Sequence, residues 1–134
     1  MRGLLSLSLL LLAACNTAGP GFRGLPSQTM VVEDSAFVLR INGPLVEATR
    51  TNPEFLPKFP QVARKAGLAA HRATGCTPRW IRGDPAMMIV GLSCDGARPP
   101  PKPKRRVSFY CDVLDIDLGS RAGLGRAGLE CYKG

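Results

Sequence analysis

Four cysteines, Cys76, Cys94, Cys111 and Cys131, constrain this chain more than any other feature. A fifth, Cys15, stands apart behind an apolar run. The segment MRGLLSLSLLLLAACNTAG has a positive residue at Arg2, an apolar stretch from Leu4 to Leu12 broken only by Ser6 and Ser8, and small residues at Ala13 and Ala14. That is the layout of a secretory signal. It is shorter than the roughly 20 residues a membrane-spanning helix needs. An even set of cysteines in an exported chain reads as two disulfides. Gaps of 17, 16 and 19 residues between successive members lack the close C-x-x-C pair that a zinc knuckle uses, so no metal or other cofactor is expected. Four cysteines allow three pairings, and spacing alone does not choose among them; the strand layout below favours Cys76 with Cys94 and Cys111 with Cys131.

Leu12-Ala13-Ala14-Cys15 resembles the lipobox of bacterial lipoproteins. The resemblance implies that Cys15 is acylated, becomes the first residue of the mature chain and holds it to a membrane. Asn16 rather than Asp after the cysteine is similar to the pattern of lipoproteins sorted to the outer membrane, which implies a place on its periplasmic face. The resemblance is confined to residues 1–15. The alternative is an ordinary signal peptide with Cys15 left as a spare thiol.

Cleavage before Cys15 leaves 120 residues, a size for one domain with a modest core that cross-links reinforce. The expected division is a signal peptide over 1–14, a Gly- and Pro-rich tether over 15–29 and a single domain over 30–134. Removing Arg2 leaves 17 basic side chains against 10 acidic, a formal charge of +7. In this compartment such a surface meets anionic lipid, lipopolysaccharide phosphate, acidic glycan or a protein partner rather than nucleic acid.

Along the domain, residues 36–41 (AFVLRI) and 45–49 read as strands joined by the Asn42-Gly43 turn, with Pro44 pushing the second toward a sheet edge. A helix is predicted from Pro60 to Thr74, ended by Gly75. Its apolar face is Val62, Ala66, Ala69 and Ala73, flanked by Ala63 and Ala70. Arg64, Lys65, Leu68, His71 and Arg72 fall opposite, toward solvent. Residues 77–82 and 86–94 form a hairpin about Gly83-Asp84-Pro85, which brings Cys76 and Cys94 together at its open end. ARPPPKPKRR (97–106) follows as an extended polyproline path, and 107–114 resumes as a strand. The Gly-rich tail is expected to be pinned to that strand through Cys131. This order predicts an α+β fold: one helix packed on a small antiparallel sheet of four to five strands, stapled by two disulfides. An all-β barrel is the rival, and the alanine-rich helix argues against it.

Candidate chemistry is sparse. His71 is the only histidine, and no partner that would orient it as a base can be placed from the sequence, so it reads as a solvated surface residue. Trp80 reads as core, with a stacking role as the alternative. Asp112, Asp115 and Asp117 suggest either a solvated strand face or the carboxylates of a small envelope hydrolase. The strongest signal is basic: Lys102, Lys104, Arg105 and Arg106 on the proline-rich segment, with Arg64, Lys65 and Arg72 as a second patch. The functional expectation is a non-catalytic lipoprotein that binds an anionic envelope polymer or a protein partner. A periplasmic inhibitor or assembly accessory, and the hydrolase, are the alternatives.

Overall fold

The computed structural model describes residues 17–102, 104, 109–117 and 125–133. Seven strands, β1 (Ser27–Val32), β2 (Ser35–Asn42), β3 (Leu45–Arg50), β4 (Thr77–Gly83), β5 (Met87–Ser93), β6 (Phe109–Asp117) and β7 (Arg126–Tyr132), form one antiparallel sheet in the order β1-β2-β3-β5-β4-β6-β7. A single helix, α1 (Phe59–Thr74), joins β3 to β4. It carries the chain one position beyond β3's neighbour, and β5 then turns back to fill the gap.

The sheet therefore has seven strands, not the four to five expected. Both additional strands lie at its edges. β1 begins at Ser27, within the stretch read as tether, and most of its side chains are exposed, so its sequence lacks the apolar density of an interior strand. β7 is built from the Gly-rich tail, where Cys111 stands directly opposite Cys131. A second correction concerns Pro44. It sits in the turn just before Leu45, so its missing N–H removes no ladder bond, and β3 is interior, between β2 and β5.

Helix α1 starts with Pro at its first positions and ends at Gly75, whose φ of 74° lets its N–H bond back to the His71 carbonyl. It packs on one face of the sheet against Phe37, Leu39, Val46, Ala48, Ile81, Met88, Val90 and Leu92. The expected solvent face of the helix is only partly exposed. Leu68 and Lys65 are buried, because the curled sheet brings both edge strands, β1 and β7, against the helix flanks. Gly125 leaves the room that Leu68 fills. Gly67 gives the close approach to Ile81 that an alanine-rich helix face allows.

The disulfides are Cys76–Cys94, closing the open end of the β4–β5 hairpin with Cα atoms 4.5 Å apart, and Cys111–Cys131, bridging β6 and β7 with Cα atoms 4.0 Å apart. Each lies where the strand layout anticipates it. The second holds the tail strand at the sheet edge, where few buried side chains would otherwise secure it.

On the opposite face of the sheet, the indole of Trp80 lies flat on Gly91 of the neighbouring strand. A Cβ at residue 91 would stand 2.1 Å from the ring. Trp80 is buried and donates from Nε1 to the Pro100 carbonyl at 2.9 Å. Gly91→Ala must lift the indole and break that bond. It should cost about 3 kcal/mol in urea unfolding, with a red-shifted tryptophan emission. Unchanged stability and emission would contradict this packing.

Candidate functional site

Alternation along the strands gives the sheet a second, outer face, away from α1. Residues in register across it are Ser27, Arg40, Glu47, Ile89, Arg82, Tyr110 and Tyr132. A second row runs Asn42, Leu45, Gly91, Trp80, Asp112 and Glu130. Two segments cross this face. The N-terminal one, from Gly19 to Leu25, buries Phe22. The other is the proline-rich segment following Ala97.

Glu47 fixes the first segment. Its side chain has no exposure, and burying a carboxylate demands partners. Arg40 Nη1 donates to Oε1 at 3.4 Å, and the Gly19 N–H donates to Oε2 at 2.7 Å. Asn42 Nδ2 donates to the Gly21 carbonyl at 2.9 Å, so the segment is held at two points along its length.

Trp80 and Lys102 fix the second. Prolines keep the segment extended without a backbone ladder of its own. Lys102 Nζ bonds Asp112 Oδ1 at 2.5 Å and lies 5.0 Å from the centre of the Tyr110 ring, while the Tyr110 hydroxyl donates to the same Asp112 oxygen at 2.7 Å. Hydrogen bonding to Asp112 raises the Lys102 pKa. Partial burial raises that of Tyr110. For Asp112, burial acts upward, and the bonds from Lys102 and Tyr110 outweigh it to hold the carboxyl below the usual range.

Between the two segments lies a cleft of about 400 Å³. Its floor is Leu45, Glu47, Ile89, Trp80 and Arg82, and Phe22, Pro100 and Pro101 are among its walls. That volume is at the small end of ligand sites, and the lining is mostly apolar. Arg82 Nε is buried with no hydrogen-bond partner among the described residues, as is Thr49 Oγ1.

Lys102 is engaged with Asp112, and Lys104 is exposed. Arg105 and Arg106 lie outside the described residues. The helix patch does not stand free: Arg64 grips Glu33 with bonds of 2.6 and 2.8 Å, and Lys65 is buried among Asp34, Ser35 and Glu54. Arg72 is exposed. His71 is half-buried rather than solvated, and its Nδ1 bonds the Cys76 carbonyl at 2.8 Å, tying the helix end to β4. Of the three aspartates, Asp112 is held by Lys102 and Tyr110, whereas Asp115 and Asp117 lie beyond an irregularity in the register between Val113 and Asp115. Cys15 lies outside the described residues. No group of three His, Cys, Asp or Glu side chains suited to a metal occurs among the described residues.

Neither the cleft nor the burial of Glu47 is evident from the sequence pattern. The one available signal was a glutamate among the apolar and small residues of LVEAT, a pattern that fits a sheet covered on both faces.

Comparison with protein-family models, curated proteins and solved structures finds no match.

The depressed Asp112 pKa has a definite pH signature. Its stabilisation is complete above the unfolded value of about 3.9 and is lost as pH falls through the lower folded value. Asp112→Asn should therefore unfold more readily than the natural chain at pH 6, and the gap should close by about pH 2. Urea midpoints measured across that range check it. A gap independent of pH would show that the carboxylate charge is not what matters.

Proposed function

We propose that the protein is a non-catalytic exported lipoprotein, anchored through Cys15 on the periplasmic face of the outer membrane, that binds an anionic envelope component with the outer face of its sheet. Two disulfides support an oxidising compartment. The observation that carries the binding reading is the proline-rich segment, pinned at Pro100 and Lys102 while Arg98 and Lys104 project into solvent beside the cleft. Cations on a pre-extended backbone engage an anionic surface with little ordering cost. The engagement of Arg64 and Lys65 in internal pairs moves the expected contact from the helix to this segment.

Protein purified from membranes of its native host should have the mass of residues 15–134 plus acyl chains, and gain the hydrogens of two disulfides on reduction. Changing Arg98, Lys104, Arg105 and Arg106 to Glu should weaken co-sedimentation with lipopolysaccharide by about several hundred-fold, since each cation near an anionic surface contributes about 1 kcal/mol. An unacylated mass would overturn the anchor. Unchanged co-sedimentation would overturn the basic segment as the contact.

A further inference from the structure

The loop between β3 and α1 carries two large apolar side chains into solvent: Phe55 is 91% exposed and Leu56 is 74% exposed. Loose loops do this without consequence, but this one is built to hold them out. Arg50 reaches across its base to the Pro85 carbonyl at 2.9 Å and the Asn52 carbonyl at 2.7 Å, and pairs with Glu54. Asn52 accepts the Ala36 N–H and donates to the Asp34 carbonyl. Lys65 bonds Glu54 from the helix. Pro53 and Pro57 flank the tip. Leu56 has φ of 45°, a left-handed conformation rarely adopted outside glycine, so the surroundings impose the shape. Phe59, three residues after Leu56, is by contrast buried and stacked on Phe109 at 5.0 Å.

What covers the tip follows from the end of the sheet on which it sits. β3 finishes at Arg50, β5 begins at Met87, β6 begins at Phe109 and β7 finishes at Tyr132, all at that end. Met87 and Tyr132 are also exposed there, at 37% and 49%. The N-terminal segment leads to the same end. Gly21 is bonded at Asn42, while Gly19, earlier in the chain, is bonded at Glu47 and lies against Met87, so the chain traced toward Cys15 heads for the end bearing the tip. Lys58 follows the tip, Lys104 leads toward Phe109 and Lys133 follows Tyr132; all three are exposed. Of the acids of this end, Glu33 is paired with Arg64, and Asp34 and Glu54 with Lys65; Asp84 accepts from the N–H groups of Ala86 and Met87, and Glu130 on β7 is exposed.

We infer that the Phe55–Leu56 tip inserts into the interface of an anionic bilayer and seats the domain end-on, with the lysines against the headgroups. Exposed apolar side chains with lysines on the same end fit that surface, where buried apolar area and attraction to anionic lipid add. This deepens the proposed function, and it rests on that reading for the tether at Cys15. End-on seating leaves the sheet faces, and with them the cleft, lying along the membrane normal and open to a second component.

The test uses the full chain purified from membranes and reconstituted in phosphatidylethanolamine–phosphatidylglycerol vesicles containing bromine-labelled lipid. Phe55→Trp should be strongly quenched, whereas Pro44→Trp, at the far end of the sheet, should match the natural chain, whose Trp80 is buried. Replacing Phe55 and Leu56 together by Ser should lower binding of the unacylated mature chain, residues 15–134 with Cys15→Ser and no signal segment, to the same vesicles about 30-fold or more. Equal quenching at residues 44 and 55, or undiminished binding of the double variant, would overturn end-on seating. The intact mass of the same sample reports acylation separately, so failure of the anchor and failure of the tip are told apart.

Discussion

The carboxylate of Glu47 governs more of this structure than any apolar contact does. A charge with no exposure at the middle of a sheet is tolerated only with partners on every side that water would otherwise occupy. Arg40 on the neighbouring strand supplies one, in a cross-strand pair that the β2–β3 register enforces. The other is a backbone N–H, that of Gly19, from outside the sheet. A sheet with Glu47 at that position therefore needs the N-terminal segment on its outer face. Gly19 suits the contact, since a Cβ there would lie 2.6 Å from the carboxylate.

From that requirement follows the division of labour between the faces. The helix face is a conventional apolar core, in which the sheet curls until its first and last strands meet the flanks of α1. The outer face is a polar and aromatic layer held by specific bonds: Glu47 to Gly19, Trp80 to Pro100, Lys102 to Asp112. Two separate segments laid on one sheet leave a gap between them, and that gap is the cleft. The same segment that Glu47 retains runs, traced toward the N-terminus from Gly21 to Gly19, toward the end of the sheet where β3 finishes and β5 begins.

Local chemistry was enough to read much of this from the residues. Asn42-Gly43 marks a tight turn, Gly75 a helix stop, and the hairpin about Gly83-Asp84-Pro85 places Cys76 beside Cys94. The edge strands were not legible, because β1 exposes most of its side chains and β7 interrupts its pattern with Gly128 opposite Asp115. Helical periodicity alone turns Lys65 and Leu68 toward solvent, which supposes a flat support; a curled sheet buries a wider arc. The candidate site was the least legible part. Lys102 and Lys104 are visible as charges, but their difference depends on Asp112 and Tyr110 of β6. The cleft depends on contacts such as Gly19 with Glu47, 28 positions apart, and Trp80 with Pro100, 20 apart, for which sequence has no local signal.

Amide hydrogen exchange at Gly19 tests the central claim most directly, because that N–H lies outside any ladder and depends on Glu47 for its partner. In the oxidised protein at neutral pH the account predicts a protected Gly19 amide whose protection is lost in Glu47→Ala while the β4–β5 hairpin amides stay slow. A Gly19 amide that exchanges at the rate of an open chain in the natural protein would show that the N-terminal segment does not rest on the sheet, and the outer layer built on it would fall with it.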